Sequence, residues 1–146
     1  MLIALHILLG VLFGAAFVLA ARRLAPGREL TIYAAGLFAA ALVYAAFAVA
    51  VRAPGAWLAV EFAGLVVFTL LALPGLKGSP LPLALGWAAH ALWDLLLHSH
   101  ALTHAGGADV HIVPGWYRLL CAGFDFALAA YLLSLSRRAP ATADPR

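Results

Sequence analysis

The sequence predicts an all-α membrane protein: a polytopic helix bundle of about five transmembrane helices, with the N-terminus outside and the C-terminus inside. Its 146 residues are 66% hydrophobic and only 10% charged, whereas a soluble domain is about 25% charged. The apolar residues form five runs, each near the ~20 residues that cross ~30 Å of hydrocarbon as a helix. Lysine and arginine cluster at the ends of these runs, as membrane topology signals do.

The first predicted span, Leu2–Ala21, has the length of a signal peptide but lacks the basic segment that precedes the apolar stretch in one. Its arginines, Arg22 and Arg23, follow the apolar residues instead. We therefore expect a retained helix. Within it, Gly10 and Gly14 form a G-x-x-x-G step, which predicts close packing against another helix.

The other four spans are bounded by prolines, glycines and charged residues, which end or interrupt helices. In lipid, only a helix satisfies the backbone polar groups of a segment within that segment, so each run is predicted to be helical. These spans are Leu30–Val51, Trp57–Leu73, Leu81–Leu97 and Val113–Leu135. Residues 1–136 are thus predicted to form one transmembrane bundle. Residues 137–146 hold Pro140, Pro145 and no apolar pattern, and are predicted to be a disordered cytoplasmic tail.

The distribution of lysine and arginine sets the orientation, because cytoplasmic loops carry the excess of these residues. With the N-terminus outside, only Arg52 falls on the outer side, and seven basic residues fall on the inner side. Those seven are Arg22, Arg23, Arg28, Lys77, Arg137, Arg138 and Arg146. The basic charge is therefore a topology signal, and the chain is predicted to be a multi-pass cell-membrane protein with the lipid bilayer as its partner, not a nucleic-acid-binding protein.

Three of the six acidic residues, Glu61, Asp94 and Asp125, lie inside predicted spans. A carboxylate near the bilayer centre costs about 3 kcal/mol, so such residues normally face the bundle interior and serve a function. The helical rise places all ionisable residues of the spans in the outer half of the bilayer or near its midplane. Beside the acids, these are His6, Tyr44, His90, His98, Arg118 and Cys121. Their convergence on one leaflet predicts a single site.

The fourth and fifth spans each carry a stripe of such residues at helical spacing. The fourth carries Trp87, His90, Asp94 and His98, and the fifth carries Arg118, Cys121 and Asp125. Because the two spans are antiparallel neighbours, we expect His90 to meet Asp125 or Cys121, and Asp94 to pair with Arg118. A buried Asp94–Arg118 pair would also suit a purely structural role.

One hypothesis is a metal-dependent membrane enzyme. His90 and Asp94, four residues apart, offer two ligands on one helical face, as the H-E-x-x-H zinc motif does. Asp125 or His98 would complete three ligands and leave a position for a metal-bound water. We take His90, Asp94 and Asp125 as candidate ligands of a divalent metal such as zinc, and Glu61 and His98 as candidate catalytic residues. The substrate would be a small amphiphile that enters from the outer leaflet.

Two other classes remain open. The first is binding or transport of a proton, a cation or a lipophilic cofactor such as haem or quinone, although the chain has no internal repeat of the kind found in many transporters. The second is a structural role in which the charged pairs only specify helix packing. The polar stretch after the fourth span is either a solvated loop or a metal entry site. Its histidines are His98, His100, His104 and His111.

The last two spans also carry the motifs of a known family. Gly86-Trp87 is followed by His90, by Trp93-Asp94 and by His98, and Val113-Pro114-Gly115-Trp116-Tyr117 is followed by Cys121 and Asp125. This pattern resembles a bacterial and fungal integral membrane family, domain of unknown function 6010, and Glu61 after Trp57 looks like a further counterpart. The resemblance implies the membrane fold and a site that includes Trp87 and Trp93, but it implies no reaction. Where the family has adjacent histidines this chain has Leu97-His98, so that either His100 substitutes for the missing histidine or the chemistry differs here.

Overall fold

The computed structural model describes residues 2–98 and 112–138, and all regular secondary structure in these ranges is α-helical. The described helices are α1 (Leu2–Leu24), α2 (Glu29–Ala50), α3 (Gly55–Leu76), α4 (Pro80–Leu96) and α5 (Gly115–Arg138). The predicted all-α class is confirmed. By length and composition, α1, α2, α3 and α5 are able to cross a membrane, whereas α4 is shorter, with 17 residues.

Local sequence sets where the helices begin. Gly27 adopts a positive φ of 81° in the turn before α2, a conformation that glycine reaches because it has no Cβ. The last helix begins at Gly115, not at Val113 where the predicted span starts. The reason is Pro114, because the residue before a proline is biased away from helical backbone angles.

Three helices continue beyond the C-terminal ends of the predicted spans. α1 runs through Arg22 and Arg23 to Leu24, and α3 runs to Leu76. Arginine has high helix propensity, which favours the extensions of α1 and α5, whereas the extension of α3 includes Pro74 and Gly75 and has no such support. α5 continues to Arg138, so the first two residues of the predicted tail are helical, and residues 139–146 lie outside the described ranges.

Consecutive helices run in alternating directions. α5 packs between α1 and α4, and α3 packs between α2 and α4. The C-terminal ends of α1, α3 and α5 therefore share one end of the bundle with the N-terminal ends of α2 and α4. We call it the basic end, after the residues located there, which are Arg22, Arg23, Arg28, Lys77, Arg137 and Arg138. The polar side chains discussed below lie toward the opposite end.

Glycines bring α1 and α5 into backbone contact. A Cβ added to Gly10 would overlap the carbonyl oxygen of Leu120, and one added to Gly123 would overlap the carbonyl oxygen of Ile7. A Cβ on Gly14 would lie 2.9 Å from the carbonyl oxygen of Phe124. The close packing predicted from the G-x-x-x-G step is confirmed, and Gly123 is its counterpart on the facing helix.

Gly10→Ala and Gly123→Ala are each expected to lower the free energy of unfolding by about 1–3 kcal/mol, the usual cost of overpacking. Neither backbone carbonyl can move without separating the two helices, so alanine's higher helix propensity should not compensate. Thermal unfolding in detergent measures the change. Gly115→Ala is the matched control, because a Cβ there meets nothing within 4 Å. Equal stability of Gly10→Ala and Gly115→Ala would show that the helices are farther apart.

The bundle interior holds two apolar clusters with a polar site at their junction. One cluster includes Phe68 and Trp87, and the other includes Tyr44. The imidazole of His90 contacts both, with ring centroids 4.8 Å from Phe68 and 5.3 Å from Tyr44. The apolar packing on both sides therefore fixes the position of this histidine.

Candidate functional site

The structure brings His90 and Asp94 of α4 together with Asp125 of α5. Nδ1 of His90 lies 2.7 Å from Oδ2 of Asp125 in a hydrogen bond and 3.7 Å from Oδ1 of Asp94. All three residues are at most 1% exposed. The predicted contact between His90 and Asp125 is confirmed, and we call these three residues the His–Asp–Asp cluster.

The spacing of this cluster suits a metal ion. With bonds of about 2.0–2.1 Å, ligand atoms around a tetrahedral zinc lie about 3.3 Å apart. The separations of 2.7 and 3.7 Å from the His90 nitrogen bracket that value, and one ligand atom from each residue can be chosen so that all lie within 4.8 Å of one another. Small side-chain rotations would thus close the three donors around one ion.

Several buried polar atoms of the cluster have unused hydrogen-bonding capacity. Both carboxylate oxygens of Asp94 and Nε2 of His90 make no hydrogen bond to any residue that the structure describes. Buried polar atoms are nearly always hydrogen-bonded, so atoms without a partner call for an explanation, such as an ion or water. The Asp94 oxygens belong to the set that would hold a metal, whereas Nε2 lies on the other side of the imidazole from the Nδ1 that faces the two carboxylates.

The charge of the cluster also suits a metal ion. If both carboxylates are ionised beside a neutral imidazole, a divalent cation would cancel their charge, whereas buried ionised carboxylates without compensation are costly. Among the described residues, no lysine or arginine forms an ion pair with Asp94 or Asp125. His90 alone can supply only one positive charge.

A second buried pair lies closer to the end of the bundle. Nε2 of His98, just after α4, is 3.2 Å from Oε1 of Glu61 on α3, although these atoms are not aligned for a hydrogen bond. Glu61 is 2% exposed and His98 is 7% exposed. Glu61 also interacts electrostatically with His90 and Asp94. The structure thus places Glu61 near the His–Asp–Asp cluster and His98 next to Glu61.

Tyr44 of α2 connects the two groups. Its ring lies 5.3 Å from the ring of His90 and 5.0 Å from that of His98. Its hydroxyl lies near Asp94 and Cys121 and makes no hydrogen bond to a described residue. The sequence placed Tyr44 in the interior without a role. The only feature of the sequence that could have identified Tyr44 as a site residue was a hydroxyl at about the depth of the acidic residues.

Arg118 does not pair with Asp94, so that prediction was wrong. Its Nη1 donates a hydrogen bond of 2.7 Å to the backbone carbonyl of His98, and no ion pair between described residues joins it to Asp94. The last carbonyls of a helix have no intrahelical partner and attract cations. Arg118 therefore binds the backbone just beyond the end of α4.

Three other residues that the sequence singled out surround the cluster. Trp87 is buried against Phe124, and Trp93 packs edge-on against Phe68. Gly64 of α3 leaves the space that the indole of Trp93 fills. Cys121 is half-buried, and its thiol interacts with Tyr117 and Tyr44. The two tryptophans shape the apolar wall, and Cys121 borders the polar interior.

His6 does not join the site, contrary to the expectation that all five spans contribute. Its Nδ1 is 2.8 Å from the carbonyl oxygen of Leu2 in its own helix. His6 was assigned to the site only because of its estimated depth in the bilayer, and depth does not show which way a side chain faces. The remaining loop histidines and the neighbouring acid lie outside the described residues. They are His100, His104, Asp109 and His111.

Comparison with known proteins gives one match. The model of a family of unknown function, DUF6010, matches residues 5–138. No curated protein and no solved structure matches the chain. The matched range includes the His–Asp–Asp cluster, Glu61, His98 and Tyr44. Since it covers most of the sequence, the chain belongs to this family of unknown function, DUF6010.

Proposed function

We propose that this protein is a multi-pass protein of the cell membrane and that all five helices cross the bilayer. Four helices have the length and composition for this, and the 17 residues of α4 extend over about 25 Å at 1.5 Å per residue. Large apolar side chains such as Leu12, Phe62 and Val66 are exposed on the bundle surface, as lipid contact would favour. The seven-to-one bias of basic residues supports an external N-terminus and an internal C-terminus.

We propose further that the protein is a metal-dependent membrane enzyme. The observation that carries this proposal is the buried His–Asp–Asp cluster, whose ligand atoms lie within 4.8 Å of one another. Three protein ligands typify catalytic metal sites, which keep a coordination position for water or substrate. An imidazole and two carboxylates accommodate zinc, and also manganese, iron or cobalt.

Three residues near the cluster would take the other roles in catalysis. A divalent metal, when bound, would supply an activated water near neutral pH. Glu61 would act as general base, and His98, whose Nε2 lies 3.2 Å from Oε1 of Glu61, would position Glu61 and deliver the proton to the leaving group of the substrate. The hydroxyl of Tyr44, which lies near Asp94, would donate a hydrogen bond to the substrate. This arrangement suits hydrolysis of a small amphiphile that enters from the outer leaflet.

Elemental analysis of protein purified without chelator and with a non-histidine affinity tag tests the proposal. We expect about one divalent metal per chain, because the cluster offers one set of three protein ligands. The loop histidines need a control, because they could bind metal adventitiously. A variant with His100, His104 and His111 all changed to Gln should keep its metal. Folded, metal-replete wild-type protein without stoichiometric metal would refute the metal site.

A proton relay is the second candidate, and one observation favours it. Tyr44 lies against both His90 and His98, so the hydrogen-bonded His90–Asp125 pair and the His98–Glu61 pair form one connected series. Series of acidic residues and histidines within membranes move protons in pumps and transporters. The same elemental analysis separates the candidates, since a relay requires no metal.

A further inference from the structure

A groove runs along the outer surface of α2 and α3, on the half of the bundle next to the basic end. Its volume is about 230 Å³. The buried small residues Ala34 and Ala72 form its floor, and the exposed side chains of Phe38 and Leu73 form its rims. The hydroxyl of Thr69, which also lines it, donates to the carbonyl oxygen of Leu65 at 2.6 Å. The groove therefore presents an apolar surface.

A second, polar cavity of about 150 Å³ lies next to this groove. Thr31 and Leu76 line both, so the two spaces adjoin. Arg28, Glu29 and the backbone of the neighbouring glycines line the polar cavity. An apolar groove and a polar cavity thus lie side by side where the helices reach the basic end.

The lining of the polar cavity holds one basic and one acidic residue, Arg28 and Glu29, and the helix ends around it carry further basic residues. Four basic residues project from the adjoining helix ends and turns, and Glu29 is the single acidic residue among them. The four are Arg22, Arg23, Arg28 and Lys77, all exposed. Basic residues at a membrane surface attract anionic lipids by about 1 kcal/mol each. The cavity therefore favours an anionic group over a zwitterionic one.

We propose that the groove and the polar cavity together bind one anionic phospholipid. An acyl chain lies along the groove, and the headgroup phosphate contacts Arg28. The groove from Thr31 to Phe38 extends about 10 Å at the helical rise, which fits within the ~15 Å of hydrocarbon in one leaflet. The proposal uses the membrane-spanning arrangement and is independent of the His–Asp–Asp cluster.

Two other surface depressions formed by described residues lack this combination and serve as controls. One of about 280 Å³ lies on α2 and is lined by Val43, Ala46, Phe47 and Ala50. Another of about 360 Å³ lies along α4, next to Trp93. Neither has a basic residue in its lining. They would accept an acyl chain without selecting an anionic headgroup.

Native mass spectrometry of delipidated protein in detergent tests the proposal, with phosphatidylglycerol and phosphatidylcholine of identical chains as probes. We expect one phosphatidylglycerol to bind about tenfold more tightly than phosphatidylcholine. Arg28→Gln should remove most of this preference. Ala35→Leu should weaken both lipids, because Ala35 lines the groove and is exposed, so that leucine fills the groove without disturbing the core.

Arg52→Gln and Ala46→Leu are the matched controls at the opposite end and in the other depression of α2. Both should bind phosphatidylglycerol like wild type, and unchanged circular dichroism should verify folding of all four variants. Equal affinity of wild type for the two lipids would overturn the proposal. So would wild-type binding by both Arg28→Gln and Ala35→Leu, or an equal loss in the control variants.

Discussion

Asp125→Asn is expected to weaken divalent-metal binding by about 100-fold or more, since changes merely adjacent to metal ligands already cost about 10–100-fold. The substitution keeps the size of the side chain but removes one of the two anionic donors in the His–Asp–Asp cluster. Asp94→Asn should have a similar effect for the same reason. Competition with a fluorescent chelator, on detergent-purified protein, measures the dissociation constants.

Variants outside the cluster separate ligation from general disturbance. Glu61→Gln should change metal affinity by less than about tenfold, because Glu61 would act through the bound water and not as a ligand. His6→Gln should have no effect, because His6 bonds within its own helix. A loss in Glu61→Gln as large as that in Asp125→Asn would show that the ligand set is wrong.

Stability and pH give two further readouts of the same prediction. A metal at 100 times its dissociation constant stabilises the folded state by about 2.7 kcal/mol, so wild-type protein should melt at higher temperature with metal, and Asp125→Asn at the same concentration should not. Metal entry must also displace the proton shared by His90 and Asp125. Wild-type affinity should therefore fall as the pH falls, because ligand atoms bind metal in their deprotonated form.

Most of the fold could be predicted from the sequence, because long apolar segments in lipid must form helices to satisfy their backbone polar groups. Apolar runs broken by proline, glycine and arginine predict helices and their approximate ends. The i, i+4 spacing predicts that His90 and Asp94 share a helical face. One connection between α4 and α5 makes the two helices antiparallel, which predicts the contact of His90 with Asp125.

The register of neighbouring helices along their axes and the rotation of each helix about its axis could not be predicted from residue counts. His90 lies level with Asp125. Moving about 12 Å along α4 from His90 reaches His98, and moving about 10 Å back along α5 from Asp125 reaches Arg118. Arg118 is therefore level with His98, one turn beyond Asp94. An error of one turn in the assumed membrane entry point accounts for the wrong Asp94–Arg118 pair.

Helix rotation accounts for the different outcomes for His6 and Tyr44, which the sequence alone groups together. His6 was assigned a suitable depth, but its imidazole bonds to the backbone of α1. Tyr44 had the same depth and lies fully in the interior, against His90 and His98. Nothing in a uniformly apolar segment such as α2 identifies which face points inward, because its polar residues are too few to define a stripe. Only packing against the neighbouring helices distinguishes the two cases.

His90→Leu and Asp125→Leu, each alone, are expected to destabilise the metal-free protein by about 3–5 kcal/mol, whereas the double variant should lose much less. Either single change leaves a buried polar or charged partner without compensation. The double change replaces both with apolar groups between the two apolar clusters. Unfolding in detergent with excess chelator measures all four proteins and excludes any contribution from bound metal.

Asp94→Asn, Arg118→Met and their double variant form the comparison cycle. These residues make no ion pair with each other, so their effects should add within about 0.5 kcal/mol, as those of independent sites do. For His90 and Asp125 we expect a coupling energy of at least about 2 kcal/mol, because contacting residues reach coupling energies of up to about 3 kcal/mol. Coupling in the Asp94–Arg118 cycle together with additivity in the His90–Asp125 cycle would mean that α4 and α5 are displaced by one helical turn. The cluster would then be assembled from different residues.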